Sequence, residues 1–548
     1  MKLQSCEQYV SRRSPAVSAR GMVASAQPLA TLAGLDTLHR GGNAADAAVA
    51  VAAALQVTQP CSTGLGGDCF VLYYSAADRQ VQALNGSGRC PAALSLQRLQ
   101  REGFRDRLPP EHAYTVTVPG APAAWAEVAT RLGRKGLSSS LGPAIELAER
   151  GFAAAPLASL WWRKGASEQL ARHPHGEELM IDGRGPYAGE QIRLPTLARS
   201  LQVLAEKGAE PFYRGEIAER IVAAVREAGG ALALEDLAAH ASEWVQPIRC
   251  EYHGYHVWEC PPNGHGLAVL LALNVLKACH REDEPAGGAR RLHLLIEAMR
   301  LAFADALRYV ADPAFAAVPL QELLSEAYAR ERARQIDPRQ AMDPPAWGVP
   351  PGAEAGGSDT VYFCTADAEG NACSFINSNY MGFGTGIVPA GCGYSLQNRG
   401  YGFRLDPEHP NRLEPGKRPY HTIIPALATQ AATGKLFSAF GVMGGMMQPQ
   451  GHLQVFSALV DDDLDPQAAL DRGRFQLEEG DPAGPVLLED ALGEQVAAGL
   501  ERLGHRLRVL SGLERPRFGL GQVILKDPNG VLWGASDPRG DGCALPLP

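Results

Sequence analysis

The segment TVYFCTAD, residues 360–367, constrains the fold of this chain more than any other. Alternation puts Tyr362, Cys364 and Ala366 on one side and Val361, Phe363 and Thr365 on the other, and both sides read as apolar. A strand wetted on one face alternates apolar and polar residues, whereas a strand apolar on both is covered on both. The segment therefore belongs inside a layered α/β sandwich. Further strands follow at NACSFINSN (371–379), YSLQN (394–398), TIIPALAT (422–429), LFSAFGVM (436–443), GQVILK (521–526) and VLWGAS (531–536). Covering helices are expected at HLQVFSALVDD and at DPQAALDRGRF, the latter capped by Asp465 with Pro466 in its first turn.

Upstream of Thr360 the pattern changes. GGNAADAAVA opens an Ala-rich helix, and two strand-like runs, CFVLYYS and RQVQALNG, come after it. The middle third is mostly helical, as in PAIELAERG, GEIAERIVAAVREAGG and ARRLHLLIEAMRLAFADALRYV. Residues 337–359, DPRQAMDPPAWGVPPGAEAGGSD, carry Pro, Gly and acidic residues without periodicity and are expected to form an exposed, mobile segment. The chain thus reads as 1–359, then 360–548, joined at a loose linker that meets a buried strand.

A formal charge of −9 over 548 residues, with no run of Lys or Arg, argues against nucleic acid and against a polybasic membrane anchor. The most apolar stretch, 44–57, is too short to span a bilayer and contains Asp46. The amino terminus has no apolar core of a signal peptide, so a cytoplasmic protein is expected. Eleven cysteines without a C-x-x-C pair point to reduced, buried thiols rather than structural zinc. His421 and His452 have no partner at ligand spacing, and neither a metal nor an organic cofactor is expected. The expected partner is a small molecule or another protein.

Common catalytic motifs are missing: there is no H-E-x-x-H, no phosphate-binding G-x-x-x-x-G-K-[ST] and no G-x-S-x-G. What remains is the junction at Thr360. A threonine hydroxyl is a weak nucleophile unless a base takes its proton, and the residue's own α-amine supplies that base once the chain is cut before it. An α-amine titrates near about 8, where an amide nitrogen is no base at all. On composition alone the favoured reading of Thr360 is a threonine that opens a strand and does no chemistry.

The stretches GGNAADAAVA, STGLGGDCFV, TVPGAPAAW, PPNGHGLAVLLALNVL, GSDTVYFCTADAEGNACS, PGKRPYHTIIPAL, GVMGGMMQPQGH and GASDPRGDG resemble, in order and over nearly the whole chain, the γ-glutamyltransferase family of N-terminal-nucleophile hydrolases. The resemblance implies a four-layer αββα sandwich built as one composite domain from a large chain, 1–359, and a small chain, 360–548. It implies cleavage between Asp359 and Thr360, after which the two chains stay associated. It implies Thr360 as nucleophile, Ser378 as the hydroxyl that orients it, and Gly444 and Gly445 as donors of an oxyanion hole.

The substrate-facing positions depart from the glutathione-cleaving members. GYSLQNRGYGF puts Arg399 and Gly402 where Gln or Glu and Asp are usual, His421-Thr422 replaces a serine pair, and Tyr380 replaces an asparagine. The family's early arginine falls on Ser87, with Arg89 two residues on. These departures remove an anchor for an amino group and add a cation, which suits an acid lacking an α-amine. The variant pattern resembles a branch containing glutathione-hydrolase-like proenzymes and an oxamate amidohydrolase. The expected activity is amide cleavage through an acyl-enzyme, by hydrolysis or by transfer. The leading substrate is a γ-glutamyl amide such as glutathione, and the alternative is a small acidic amide such as oxamate. An uncut, inactive binding protein is the alternative of another class.

Overall fold

The computed structural model describes residues 13–279, 287–343, 345 and 359–548. Two seven-stranded sheets lie face to face. In one the strand order is Cys543–Leu547, Gly21–Ser25, Asp359–Ala366, Ala372–Tyr380, Asp68–Ser75, Gln80–Gly86, Glu243–Val245. In the other it is Ala16–Ser18, Leu532–Ser536, Leu520–Lys526, Leu436–Met443, Ala426–Gln430, Tyr255–Glu259, Ile248–Tyr252. Both sheets are antiparallel throughout and both mix strands from before and after Thr360. Segments 13–343 and 360–548 therefore share one core.

The strand that opens at Thr360 is interior to its sheet and covered on both faces, as its composition requires. Tyr362, Cys364 and Ala366 pack between the sheets with Phe70, Ile376, Ala439 and Ile524. Val361 and Phe363 point the other way, into the cluster formed by the Ala-rich helix Ala44–Thr58. Phe363 stacks on Phe375 with ring centroids 4.9 Å apart. The sheets approach closely at Gly441, where an added Cβ would lie 2.5 Å from the Tyr362 ring. Glycine is needed there for lack of side-chain volume. The second outer layer is the helices Leu267–Ala278, Ala289–Tyr309 and Met447–Val460, packed on Val257, Phe440, Val442 and Val523.

The Ala-rich helix is buried along its whole length. Asn43 caps it, accepting from the Ala45 and Asp46 amides, and Asp46 reaches back to the Asn43 amide, completing a capping box. The same carboxylate accepts from the amides of Arg134 at 2.8 Å and Lys135 at 3.0 Å. The one charge in this apolar stretch thus joins two helices.

Two strand expectations fail for physical reasons. Residues 394–398 join no ladder: the Leu396 amide donates to Ile387, the Gln397 amide to Gly66 and the Asn398 amide to Asn379. Alternation reports an extended backbone, not a partner strand. In 422–429 the ladder begins only at Ala426, because Pro425 has no N–H to give. The start of the expected linker is also pinned rather than loose. The Ala341 amide donates to Leu503 at 2.6 Å and the Met342 amide to Glu297 at 2.8 Å. Residues 346–358 of that segment lie outside the described residues. The helix expected at 465 begins as read, with Asp465 accepting from the amides of Gln467 and Ala468. Cys250 and Cys260 are both free thiols.

Removing the Asp46 carboxylate strands three amides at a buried helix junction. Asp46→Ala should lower stability by roughly 2–4 kcal/mol, and Asp46→Asn by less, read from the midpoint of denaturant unfolding.

Candidate active site

Thr360 sits at an irregularity in the ladder. Asp359 pairs with Tyr380 and Val361 with Asn377, so the register shifts across Thr360. Bulges of this kind re-aim a side chain. Here the threonine hydroxyl lies 3.1 Å from the Ser378 hydroxyl, and both residues are fully buried. Ser378 also accepts from the Tyr380 amide at 2.8 Å and from Arg399 Nη2 at 3.2 Å. With two donors on its oxygen, the Ser378 O–H is directed away from them.

Arg399 is the centre of this constellation. Its other terminal nitrogen donates to Thr422 Oγ1 at 2.7 Å, and its guanidinium carbon lies 4.0 Å from the centroid of the Tyr380 ring. Its Nε has no hydrogen-bond partner, and among the described residues no carboxylate lies within ion-pair distance. Burial lowers this guanidinium to about 10, against the favourable fields of Tyr380 and Asp68. A buried cation held only by hydroxyls and a ring face is short of an anion. Tyr380, at a left-handed φ of 84°, and Thr422 separate it from the adjoining cavity.

Behind the site lies a carboxylate that sequence reasoning missed. Asp68 pairs with Ser378 across the ladder and is fully buried. It accepts from the amides of Gly88 and Gly120, from Gln397 Nε2 at 2.9 Å and from His421 Nε2 at 2.9 Å. Burial raises its carboxyl above the ordinary range, while Arg399, Gln397 and Gly120 oppose the rise. All four contacts are donors, so it acts as an acceptor. His421 is pushed well below its ordinary value by burial and by the charges of Arg399 and Arg418. The ring is therefore neutral, with Nε2–H on Asp68 and Nδ1 facing the Ile423 amide at 3.5 Å. The signal for Asp68 was present in STGLGGDCFV, a carboxylate opening a wholly apolar strand. The preceding glycines let the loop close over the site: a Cβ on Gly67 would lie 2.3 Å from the Ser378 carbonyl oxygen.

Gly444 and Gly445, both at positive φ, join the strand Leu436–Met443 to the helix Met447–Val460. Among the described residues neither amide donates a hydrogen bond. Both glycines line a cavity of about 240 Å³ shared with Tyr380, Thr422, Arg404 and Glu479. Two unused amides at a helix N-terminus favour negative charge.

The structure thus brings Thr360, Ser378, Arg399, Tyr380 and Thr422 together, with Gly444 and Gly445 on the same cavity as Tyr380 and Thr422. It does not bring Arg89 or His421 to that cavity. Arg89 faces elsewhere, paired with Glu243 at 2.9 Å and Asp312 at 3.3 Å. His421 is committed to Asp68, because that buried carboxylate accepts from its Nε2–H at 2.9 Å. Ser87 is fixed by Asn85 and Asn263, Gln448 accepts from the Ile424 amide, and His452 is bound to Glu259 at 2.9 Å. Gly402 lines the cavity, as do Arg107, Arg404 and Glu479, three charged residues not anticipated from the sequence.

Comparison with known proteins bears on the family and the fold. Residues 30–547 match the gamma-glutamyltranspeptidase family. The chain is 35% identical over 535 residues to the glutathione hydrolase-like YwrD proenzyme of Bacillus subtilis, covering 96% of this chain and 99% of that one. It is 34% identical over 542 residues to the oxamate amidohydrolase proenzyme of Klebsiella pneumoniae, covering 96% and 98%. The crystal structure of a cephalosporin acylase from Bacillus halodurans superposes with a TM-score of 0.90 at 44% identity over 98% of each chain. With the two helix-covered antiparallel sheets, a buried threonine at a bulge and a match across almost its whole length, this chain belongs to the gamma-glutamyltranspeptidase family of N-terminal-nucleophile hydrolases.

Proposed function

We propose that the chain cuts itself between Asp359 and Thr360 and then hydrolyses amides whose acyl half carries a second carboxylate, oxamate being the smallest of that class. The observation that carries this reading is Arg399, a buried guanidinium with no ion-pair partner, one hydrogen bond from Ser378 and hence two from Thr360. Tyr380 and Thr422 stand between Arg399 and the cavity, so an acyl carboxylate reaches the guanidinium as the Tyr380 ring moves aside, and once anchored there it sets its amide carbonyl toward the threonine hydroxyl. The cytoplasmic, membrane-free setting expected from the sequence is in keeping with a small-molecule substrate, and no helix among the described residues is long and apolar enough to cross a membrane.

In the first reaction the Thr360 hydroxyl adds to the Asp359 carbonyl carbon. The C–N bond breaks as the nitrogen takes the hydroxyl proton, leaving an ester between Asp359 and Thr360. Water splits that ester into the Asp359 carboxylate and a Thr360 with a free hydroxyl and a free α-amine. In the second reaction the α-amine takes the hydroxyl proton as Oγ attacks the substrate carbonyl, and returns it to the departing amine. Ser378 holds Oγ in register. The Gly444 and Gly445 amides receive the oxyanion, each donor contributing roughly 3 kcal/mol in comparable sites. Water then releases the acid. The 1–359 and 360–548 chains remain together because each sheet draws strands from both.

A second reading, a γ-glutamyl amide such as glutathione, rests on Glu479 and Asp481, two carboxylates on the cavity wall that suit an ammonium group. Burial raises the Glu479 carboxyl to about 7. It is therefore neutral below that pH and gains the charge an ammonium needs only above it.

A denaturing gel of purified protein should show two chains, and Thr360→Ala a single full-length chain without amidase activity; turnover by that variant would remove Thr360 from the mechanism. Oxamate, succinamate and glutaramate should be hydrolysed faster than glutathione, and Arg399→Gln should cut kcat/KM on them by about a hundredfold or more. Glutathione turnover that is robust and indifferent to Arg399→Gln would defeat this reading. Under the second reading, the ratio of glutathione to succinamate turnover should climb as pH rises through about 7, and Glu479→Gln should flatten that climb.

A further inference from the structure

The cavity beside Arg399 contains a second cationic feature that the reaction above does not use. Arg404 and Arg107 both line it. Arg107 Nη1 donates to the Tyr401 hydroxyl at 3.2 Å, and its guanidinium lies over the Tyr401 ring, 5.2 Å from the centroid. Arg404 is tethered by its main chain, whose amide donates to Asn411. Among the described residues its side chain makes no hydrogen bond and no ion pair, and Arg107 has no carboxylate within ion-pair distance. Burial, and the charge of Arg107 after it, lower the Arg404 guanidinium to about 10.

The other charged groups on this cavity do not neutralise the pair. Arg517 is paired with Glu478 at 3.3 Å. His409 is lowered to about 4, by burial first and Arg404 second, so it is neutral and does not compete for an anion. Glu479 is raised to about 7 and is only partly ionised at neutral pH. Asp481 is the remaining carboxylate on the cavity wall, and it accepts from the Ala483 amide. Glu479 faces Arg107 electrostatically, but among the described residues no carboxylate is within ion-pair distance of either guanidinium, and their planar forks match a visiting carboxylate.

This second cation site is separate from Arg399. Arg399 stacks on Tyr380, whose ring lies 6.2 Å from that of Tyr401, and Arg107 lies over Tyr401. Arg399 and Arg107 thus lie against different rings, and Arg404 lines the cavity while Arg399 does not. Gly444 and Gly445, the oxyanion donors, line the same cavity as Arg404. A substrate with its acyl carboxylate on Arg399 and its carbonyl near these glycines runs its amine half out along the wall that bears Arg404.

We infer that Arg404 and Arg107 form a leaving-group subsite for a carboxylate on the amine half of the substrate, so that the preferred amides are acidic at both ends. The amine released is then an amino acid or another carboxylated amine rather than ammonia. This inference rests on the reading of Arg399 as the partner of the acyl carboxylate, and the test separates the two.

The test uses the matured protein and two chromogenic amides with the same acyl half, glutaryl-4-nitroanilide and glutaryl-3-carboxy-4-nitroanilide. The wild type should favour the carboxylated anilide by about tenfold or more in kcat/KM, chiefly through KM. In Arg404→Gln the ratio should fall to near one, and in Arg107→Gln part of the way. Calorimetry with the released amines, 5-amino-2-nitrobenzoate against 4-nitroaniline, reads the subsite without turnover. If neither anilide is cleaved but 5-amino-2-nitrobenzoate binds in an Arg404-dependent manner, the acyl reading falls and the subsite stands. Equal rates for the two anilides in the wild type, a ratio that survives Arg404→Gln, or equal weak binding of both amines would overturn the inference.

Discussion

The buried guanidinium of Arg399 is the interaction around which the site is arranged. It donates to Ser378, which touches the Thr360 hydroxyl, and to Thr422, which lines the cavity. The ring of Tyr380 lies against it, and Asp68 stands behind it, held by four donors. Desolvating a guanidinium is costly, and hydroxyls and a ring face return only part of that cost. The remainder is available to a substrate anion. Burial, with the charge of this cation second, lowers His421, which keeps that ring neutral and committed to Asp68 rather than to the cavity.

Rigidity comes from the sandwich. The threonine strand is interior to its sheet and covered on both faces, so the proposed nucleophile is carried by a part of the protein that opens only with the core. The bulge at Thr360 and the positive φ of Tyr380 are local departures from regular structure, and both fall where a side chain has to be aimed. The glycine pair after Met443 has a similar logic. Its amides are unused because the strand has ended and the helix ladder has not begun. Thr360 and the glycine pair, the proposed nucleophile and oxyanion donors, occupy places where regular hydrogen bonding stops.

Much of the fold was legible in the chain. Both-face apolarity marked the central strand as interior, Asp465 and Pro466 marked a helix start, and the ordered family stretches matched Thr360, Ser378, Gly444 and Gly445 to their positions. What misled was local signal without a partner. The alternation in 394–398 reported extended backbone but not whether a strand lay beside it. Arg89, near the position of the family's early arginine, pairs with Glu243 and Asp312, and neither acid is near it in sequence. His421, in a substrate-facing stretch, turned inward because a buried carboxylate 353 residues away accepts from it.

The sequence by itself determined the architecture and marked Thr360 as the candidate nucleophile, because hydrophobic period, turn residues and motif order are local properties that one strand or one loop carries alone. Only the tertiary structure decided which charges are neutralised. A cation's worth depends on what stands against it, and for Arg399, Arg404 and Arg107 that is decided by packing between elements far apart in the chain. Counting charges could not tell Arg89, spent on two carboxylates, from Arg399, spent on none.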